Sequence, residues 1–420
     1  MKKIAVIGGG AAGMMVVATL LENNANADIH LFEKNPSLGK KVIISGGGRC
    51  NVTTGINEAR ILERKYIRGW QFLKPSLANF PPEKVYNWFE KHGVPLKNEA
   101  DNRVFPQSDQ GTDIVAVFER IFAAHNVHLH LNQSVQSMTP EGNAVRIRSS
   151  ALNEIFDYVV ITTGGNAYRH TGSTGDGYDF AKACGHSITA LGPSLNSFEV
   201  AEEWPKMLTG ISFPWAQLVT LVDGEKMVAN GPFLFTHFGI SGPVTFAFSA
   251  HVAFLPIHRE TPLPVCFSPD ASVNFEQWNN RLQKLFAENG AKQVHSILST
   301  FFPKRFVDVV LNQAMISHSK QVATISKDER KLLAYLFSGR LTFSLIARRA
   351  GDEFVTAGGV NTDEIDRKSM QSKIISQLYF AGEVMNIDGV TGGFNLQVAW
   401  ATGRMAGESI AKRLQKGDVL

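Results

Sequence analysis

Residues 2–13 read KKIAVIGGGAAG, an apolar run that leads directly into a glycine-rich turn. The spacing of Gly8, Gly10 and Gly13 is typical of a strand, a phosphate-binding turn and a helix in succession. In such a turn Gly8 allows the sharp bend, Gly10 lets phosphate oxygens reach backbone N–H groups, and Gly13 lets the helix pack closely on the strand. The stretch therefore predicts a parallel α/β fold that binds a pyrophosphate.

An acidic residue at the end of the next apolar run favours a dinucleotide as the ligand. Residues 28–32 are typical of a second buried strand, and Glu33 follows twenty residues after Gly13. A carboxylate at this position accepts hydrogen bonds from the ribose of an adenosine. Its charge also disfavours a 2′-phosphate, because two negative groups would be brought together. Strand, glycines, helix and acid together predict dinucleotide binding.

The size and composition of the chain indicate a globular enzyme with more than one domain. It has 420 residues, of which 44% are hydrophobic and 19% charged, and a chain of this length usually exceeds a single hydrophobic core. The net charge of +4 does not by itself indicate a nucleic-acid partner. Between residues 34 and 103, however, thirteen basic residues occur with only six acidic ones. The positive charge is therefore concentrated in this region.

The cysteines argue against two classes of chemistry. Cys50, Cys184 and Cys266 form no C-x-x-C pair, and the sequence has no His/Cys cluster at zinc spacing. Disulfide-reductase chemistry and structural zinc are therefore disfavoured, and we predict no metal site. Few and scattered cysteines fit a reducing cytoplasm, which is the expected location.

Two apolar stretches resemble targeting or membrane segments. Residues 1–21 start like a secretory signal, but three consecutive glycines lie inside the apolar run and the phosphate turn accounts for all of it, so we expect no export. Residues 227–258 lack Lys, Arg, Asp and Glu, yet prolines, glycines and histidines interrupt them. We expect buried strands and turns there and no membrane span.

The order of the predicted elements indicates a nucleotide-binding fold that is split by an insertion. Residues 1–191 carry its first part, and residues 192–272 have the short strands, prolines and glycines of a β domain. Residues 273–341 are typical of helices. Residues 342–420 return to the β domain and then supply the last strand and helix of the nucleotide-binding fold.

Seven stretches together resemble one family of FAD-dependent oxidoreductases, the BaiN/RdsA or YhiN-like flavoproteins. They are GGGAAG (8–13), GKKVIISGGGRCNVT (39–53), NRVFPQSD (102–109), GSTGDGY (172–178), LFTHFGISGP (234–243), TAGGV (356–360) and YFAGEVMNIDGVTGGFNLQVAWATG (379–403). The resemblance covers nearly the whole chain. It implies an α/β fold with a split, Rossmann-like FAD-binding domain of the glutathione-reductase type, into which a β-barrel-like and a helical domain are inserted.

The resemblance and the glycine turns together predict how FAD is held. The expected contacts are Gly8, Gly10, Ala12, Gly13, Glu33, Lys34, Gly39, Lys40, Ser45, Gly46, Gly47, Arg49, Cys50, Asn51, Val135, Thr163, Gly164, Gly165, Gly382, Glu383, Gly393, Phe394, Asn395 and Leu396. Gly382 and Glu383 are expected at the ribityl chain. The helix that starts at residues 393–396 is expected to direct its positive end to the pyrimidine edge of the flavin ring.

Three of these regions have structural alternatives. The glycines of SGGGRCN (45–51) predict backbone close to a flat ring or a phosphate, with Arg49 neutralising pyrophosphate charge. The alternative is a structural turn with a surface arginine. By resemblance alone, Val135 lies near the adenine and residues 163–165 line the nucleotide. An ordinary strand residue and an ordinary turn are the alternatives there.

Three residues are candidates for catalysis. Reduction of a polarised C=C bond needs a hydride on one carbon and a proton on the other, and the thiol of Cys50 can supply that proton. A small buried side chain is the structural alternative for this cysteine. His237 is a second candidate acid, with a core histidine as its alternative. Asp388 is expected either to orient the substrate or to cap a turn.

A basic segment points to a nucleic-acid partner. Arg60, Arg64 and Arg68 are spaced by four residues, with Lys65 and several aromatic residues between them. On a continuous helix this spacing predicts a positive face that contacts phosphates, rimmed by rings that stack on bases. A solvated helix face above core aromatics is the alternative. We predict ribosomal RNA as the partner.

The expected activity follows from the resemblance. Family members are associated with bile-acid reduction and with reduction of uridine to dihydrouridine in large-subunit ribosomal RNA. Since no second G-x-G-x-x-G follows a strand, NAD(P)H is expected to visit transiently and reduce the flavin. The alternatives are a non-catalytic flavin protein that binds RNA or senses redox state, a reductase of a steroid-like molecule, and an oxidase or monooxygenase. The sequence does not indicate an oligomeric state.

Overall fold

The computed structural model of the chain describes residues 1–416. Contacts within the chain divide it into two compact units. Unit 1 combines Met1–Pro193 with the residues from Phe354 onward, and unit 2 is Ser194–Glu353. This division groups the inserted β and helical segments into one unit. The four segment boundaries expected from the sequence stay a prediction.

The strands and helices are numbered separately in chain order. The strands are β1 (Lys2–Ile7), β2 (Ala27–Phe32), β3 (Thr53–Thr54), β4 (Tyr66–Arg68), β5 (Leu96–Asn98), β6 (Arg103–Pro106), β7 (Val127–His130), β8 (Val135–Glu141), β9 (Ala144–Ser149), β10 (Asn153–Phe156), β11 (Tyr158–Ile161), β12 (Gly192–Ser194), β13 (Phe198–Val200), β14 (Ser212–Val222), β15 (Glu225–Phe235), β16 (Gly239–Ser241), β17 (Leu263–Ser268), β18 (Leu341–Arg348), β19 (Val355–Ala357), β20 (Leu378–Phe380) and β21 (Asp388–Gly389). The α-helices are α1 (Ala11–Glu22), α2 (Lys40–Ile44), α3 (Ala59–Glu63), α4 (Trp70–Asn79), α5 (Pro82–Lys91), α6 (Thr112–Ala123), α7 (Asp176–Ala183), α8 (Glu203–Met207), α9 (Pro243–His251), α10 (Phe275–Glu288), α11 (Val294–Leu298), α12 (Lys304–Gln313), α13 (Lys327–Tyr335) and α14 (Phe394–Lys416).

A five-stranded parallel sheet in the order β20-β11-β1-β2-β7 forms the centre of unit 1. Residues 4–7 of β1 and all of β11 are buried, which explains why both segments are continuous apolar runs. Strand β20 pairs with β11, so a strand from the C-terminal part of the chain extends a sheet that begins at its N-terminus. The split α/β fold predicted from the sequence is confirmed.

Unit 2 contains a closed antiparallel barrel in the order β13-β16-β15-β14-β17-β18. Phe213, Phe233, Phe235 and Phe267 contact one another in its core. Helices α10 to α13 lie between β17 and β18 in the sequence, and Phe306 of α12 packs on Phe213 with ring centroids 5.0 Å apart. The barrel and the helices therefore share a hydrophobic core.

The uncharged stretch 227–258 belongs to this barrel unit. It contains most of β15, all of β16 and the nine-residue helix α9, where the sequence predicted only strands and turns. Among residues 1–416, no helix combines the length and the apolar character that crossing a membrane requires.

Helices α1 and α14 join the two ends of the chain through small residues. A Cβ placed on Gly403 would lie 2.5 Å from the carbonyl oxygen of Ala12, and one on Gly407 would lie 2.9 Å from that of Val16. Both glycines are buried, and they are one helical turn apart. The absence of side chains therefore lets the backbones of the two helices approach directly.

This contact predicts that Gly403→Val destabilises unit 1. A valine would meet backbone atoms of α1, which cannot rotate away as a side chain does, so we expect the free energy of unfolding to fall by roughly 1–3 kcal/mol. Urea denaturation measures the loss. Lys412→Val introduces the same residue at an exposed position of α14 and should cost only its helix propensity, about 0.5 kcal/mol. Equal losses in the two variants would contradict the close packing.

Candidate functional site

The turn after β1 leaves the N-terminus of α1 open. Gly8 has a φ of +109°, and the hydroxyl of Thr162 donates to the carbonyl oxygens of Ile7 and Gly8 at 3.0 and 2.8 Å. A side chain at Gly13 would collide with the carbonyl of Gly8. Within residues 1–416 no side chain caps α1, and a Cβ on Gly10 would point into open space. The first N–H groups of α1 are therefore available to an anion.

Glu33 lies at the end of β2, beside this turn. One carboxylate oxygen accepts the N–H of Gly9 at 2.8 Å, and the other accepts the backbone and side-chain N–H groups of Asn35 at 2.8 and 2.6 Å. A carboxylate has about four acceptor positions, so one remains for a ribose hydroxyl. The backbone N–H of Gln133, two residues before Val135, donates to the carbonyl of Glu33 at 3.0 Å. This bond places the start of β8 next to the acid.

The glycine loop after α2 offers bare backbone. Gly46, Gly47 and Gly48 have φ values of +59°, +74° and +91°, and all three are exposed. A Cβ on Gly47 or Gly48 would meet no atom within 4 Å. A flat ring or a phosphate can therefore approach this segment more closely than it could approach residues with side chains.

Two cations expected at the cofactor are paired with acids of the chain. Lys34 lies 2.6 Å from a carboxylate oxygen of Asp176 and also donates to Thr174. Arg49 stacks on the ring of Phe105 at 3.8 Å. Its guanidinium also lies 2.7 Å from Glu99 and 3.4 Å from Asp109. The bond to Glu99 is the main cause of the raised pKa of Arg49. These contacts agree with the structural alternative, in which Arg49 is a surface residue of a turn. They do not support neutralisation of the pyrophosphate by Arg49.

The turns after β11 and β20 lie against each other. A Cβ on Gly165 would come within 2.8 Å of the carboxylate of Glu383. That carboxylate accepts the N–H of Thr356 at 2.9 Å and is paired with Lys41 at 3.0 Å. The hydroxyl of Thr163 is buried and has no hydrogen-bond partner within the described chain. The polar contacts of Glu383 thus hold the two turns together, with the hydroxyl of Thr163 enclosed between them and Gly177.

The start of α14 lies against the segment that follows the glycine loop. Gly393 abuts the carbonyl of Thr53 and the side chain of Asn51, and Asn395 exchanges hydrogen bonds of 2.9 Å with both backbone groups of Gly389. Further along α14, Gln397 accepts the hydroxyl of Thr53 at 2.6 Å. The N-terminal loop and the C-terminal helix are therefore held together by direct bonds.

These features fit FAD. An open helix N-terminus fits the pyrophosphate, an acid at the end of β2 fits the adenosine ribose, and bare glycine backbone fits close approach of a ring. The remaining expected contacts lie on the same elements: Ala12 in α1, Gly39 directly before α2, Lys40 in α2, Ser45 directly after α2, Val135 at the start of β8, Gly164 after β11, Gly382 after β20, and Phe394 and Leu396 in the first turn of α14. Contact of each residue with the cofactor stays a prediction.

Asp388 and Arg68 form a bidentate ion pair. The Nη2 of Arg68 lies 2.6 Å from Oδ2 of Asp388, and Nε donates to Oδ1. The side chain of Asp388 is completely buried and that of Arg68 is 16% exposed. Strands β4 and β21 pair directly and hold both residues. Asp388 is therefore paired with Arg68, and its expected role in orienting the substrate or capping a turn stays a prediction.

The continuous basic helix expected from Arg60 to Arg68 is wrong. Helix α3 ends at Glu63, and Tyr66, Ile67 and Arg68 form strand β4 instead. Pairing with β21 stabilises this strand, and Gly69, with a φ of +79°, separates it from α4. Arg68 consequently points to Asp388 and is lost to the expected phosphate-binding face.

Cys50 is a poor candidate for the proton donor. The residue has 0% exposure, so its thiol has no face toward open space. Burial raises the pKa of the thiol to about 12. The group thus keeps its proton but has no path to a reacting atom, which favours the structural alternative.

His237 lies in unit 2, in the turn between β15 and β16, and is exposed. The core-histidine alternative for it is wrong.

Sequence reasoning missed several residues that shape the site. Thr162 fixes the turn at Gly8, while Lys41 and Thr356 fix Glu383. Tyr66 is buried against Phe394 and donates to its carbonyl oxygen at 3.2 Å. Lys41 and Thr356 fall inside stretches that carry the family resemblance. No local pattern assigns them to Glu383, because that contact joins distant parts of the chain.

The buried pair predicts a large effect of Asp388→Asn. This change leaves the guanidinium of Arg68 mostly buried without its counter-charge, so stability should fall by about 3–5 kcal/mol. Replacing both residues, as Arg68→Met with Asp388→Leu, should recover most of the loss. Urea denaturation measures each variant. Glu141→Gln, which breaks an exposed pair with Arg146, serves as the control and should change little. A double variant as unstable as Asp388→Asn would contradict the pairing argument.

Known proteins of similar sequence span nearly the full chain. A 3-dehydro-bile acid delta(4,6)-reductase of Clostridium scindens is 27% identical over 98% of this chain and 100% of its own length. A ribosomal RNA dihydrouridine synthase of Escherichia coli is 27% identical over 94% of this chain and 95% of its own. The corresponding Haemophilus influenzae enzyme is 26% identical over 97% of this chain and 98% of its own.

Solved structures confirm the fold. The 3-ketosteroid delta1-dehydrogenase of Sterolibacterium denitrificans matches 98% of this chain and 100% of its own with a TM-score of 0.52 at 12% identity. An E. coli quinol fumarate reductase matches 99% of this chain and 71% of its own with a TM-score of 0.51 at 14% identity. The family model described as the HI0933-like protein Rossmann domain matches residues 2–409. The chain therefore belongs to the HI0933-like family and is an FAD-dependent oxidoreductase.

Proposed function

We propose that this oxidoreductase reduces a C=C bond conjugated with a carbonyl group, and that its substrate is a uridine of ribosomal RNA. NAD(P)H supplies the hydride and solvent supplies the proton, and the products are NAD(P)⁺ and dihydrouridine. Bound FAD would supply the one chemistry that no side chain has, acceptance of a hydride and its donation from N5. The residues of the chain bind and orient the reactants.

The names of two relatives support this reaction class. One reduces delta(4,6) bonds of a 3-dehydro bile acid, and the other makes dihydrouridine in ribosomal RNA. In both substrates the reduced C=C bond is conjugated with a carbonyl group, whose oxygen gains negative charge as the hydride adds. A fixed cation beside that oxygen stabilises this charge. We assign this role to Arg68, with Asp388 as the residue that positions it.

The exposed cations near the Arg68–Asp388 pair favour RNA over a steroid as the substrate. Arg60 and Arg64 are both exposed on the segment that leads into β4, and neither forms an ion pair with the described residues. Strand β4 holds Arg68 and pairs with β21, shortly before α14 begins. RNA carries one negative charge per phosphate and gains binding free energy from several cations at this edge, whereas a bile acid carries a single carboxylate.

The location is proposed to be the cytoplasm, where ribosomal RNA is found. Cys50, Cys184 and Cys266 are all free thiols, and such cysteines persist in a reducing compartment.

Anaerobic reoxidation of the flavin tests the activity and the substrate together. We expect NADPH or NADH to bleach the purified protein, and unmodified ribosomal RNA fragments to restore the flavin absorption in stopped flow, with dihydrouridine found in the product RNA. Fragments that already contain dihydrouridine should not restore it. Reoxidation by a 3-oxo-4-ene steroid alone would contradict the RNA proposal and support the steroid substrate. A flavin that no donor or acceptor cycles would contradict the enzyme and support a binding protein.

The same assay tests the exposed cations. Arg60→Gln with Arg64→Gln should raise the KM for RNA several-fold and make the dependence of log KM on log salt shallower by about 1–2 units, because two phosphate contacts are lost. The rate at saturating RNA should stay near that of the wild type. Lys91→Gln with Lys412→Gln removes two exposed charges elsewhere in unit 1 and is the matched control. Identical salt slopes in both variants would contradict this interface.

The burial of Cys50 predicts that Cys50→Ala keeps both FAD and turnover. Loss of a small buried group should lower stability by roughly 1 kcal/mol, while the rate of reoxidation by RNA changes by less than about threefold, or 0.7 kcal/mol. Stopped flow on the variant measures the rate, and thermal unfolding reports the stability. A loss of two orders of magnitude with full flavin occupancy would restore Cys50 as the proton donor.

A further inference from the structure

A cluster of histidines and one aspartate occupies the edge of the parallel sheet, away from the residues assigned above. Asp28 and His30 alternate along β2, and His128 and His130 alternate along β7. The register of the parallel pair sets His30 beside His128. Side chains two residues apart on a strand share one face, so all four groups meet on the same side of the sheet.

The ligand atoms of three residues converge. An oxygen of Asp28 lies 3.2 Å from Nε2 of His30, and its other oxygen lies 3.1 Å from Nε2 of His128. All three ligand atoms lie within 4.8 Å of one another. Ligand distances of about 2.0–2.1 Å place neighbouring ligand atoms of a zinc tetrahedron about 3.3 Å apart. Each oxygen of Asp28 lies close to this distance from the histidine nitrogen nearest to it.

The state of His30 supports a ligand at this point. Its side chain is only 8% exposed, and the buried Nε2 lies 3.2 Å from Asp28 but outside hydrogen-bond geometry with it. Its other ring nitrogen, Nδ1, lies 2.9 Å from Nε2 of His130. A proton on Nδ1 leaves the lone pair of Nε2 directed at the cluster. Such a bond from the second ring nitrogen is the usual support of a metal-bound histidine.

We propose that Asp28, His30 and His128 form a binding site for a divalent transition metal, with zinc as the expected ion. Two imidazoles and one carboxylate are a donor set that suits zinc rather than magnesium or calcium, which prefer oxygen ligands alone. His128 is 56% exposed, so the ion has a path from solvent and an open fourth position. His130 orients His30 and does not bind the ion.

A bound ion would stabilise the edge of the sheet. Strand β7 is four residues long and pairs only with β2 among the strands of this sheet, so few contacts hold it. An ion bound to ligands from both strands stabilises the folded state in proportion to its occupancy. This role is independent of the flavin and of the proposed reaction.

Metal titration of the tag-free holoprotein tests the proposal. After EDTA treatment and removal of the chelator, we expect calorimetry to show one Zn²⁺ per chain with micromolar or tighter affinity. Co²⁺ should give the intense visible bands of a four-coordinate site at wavelengths beyond those of the flavin. Zn²⁺ should also raise the melting temperature, whereas Mg²⁺ and Ca²⁺ should not. Absence of stoichiometric binding, or equal binding of Ca²⁺, would overturn the assignment.

Two variants separate this site from adventitious binding. His128→Gln removes an exposed ligand and should fold normally, yet weaken Zn²⁺ binding at least tenfold and abolish the rise in melting temperature. His125→Gln removes a nearby exposed histidine outside the cluster and should bind like the wild type. If His128→Gln binds zinc as tightly as His125→Gln, the site is not the one proposed.

Discussion

The direct backbone contact between α1 and α14 is the constraint on which the flavin site depends. Helix α1 presents its open N-terminus after β1, while α14 begins at Gly393, beside the loop that follows α2. These two ends form one site only if the helices lie at a fixed and short distance. Gly403 and Gly407 set this distance by removing the side chains that would separate the helices. Hydrogen bonds from Trp400 to the carbonyl of Val52 at 2.9 Å and from the hydroxyl of Thr53 to Gln397 then fix α14 along the loop.

Ion pairs inside unit 1 neutralise several of its basic residues. The region between residues 34 and 103 has a large excess of Lys and Arg, which by count alone indicates a surface for polyanions. Lys34, Lys41, Arg49 and Arg68 are instead paired with acids, and three of these acids, Asp176, Glu383 and Asp388, lie far along the chain. Such pairs orient loops and strands near the site. The positive charge left for the phosphates of a substrate is correspondingly smaller and is centred on Arg60 and Arg64.

The parts of the structure that the sequence predicts well are those in which a local pattern decides the outcome. The run from β1 to α1 needs only its own glycines and apolar residues, and Glu33 follows at a fixed distance. Residues 59–68 show the limit of this reasoning. Their spacing of basic residues is helical, but pairing of Tyr66 and Arg68 with residues 388–389 makes the second half a strand. The histidine cluster was missed for the same reason, since β2 and β7 become neighbours only in the folded sheet.

Two relatives of nearly equal similarity are named for substrates as different as a bile acid and ribosomal RNA. Both substrates need the same hydride and the same stabilisation of a carbonyl oxygen, so the cofactor-binding elements need not differ between the two activities. Discrimination must then come from residues outside them. A steroid requires an apolar enclosure, whereas RNA requires exposed cations at a distance from the reacting base. In unit 1, Arg60 and Arg64 meet the second requirement. Arg60 lies on α3 and Arg64 directly after it, outside the elements that would hold FAD, so the proposed preference for RNA can change without disturbing the cofactor.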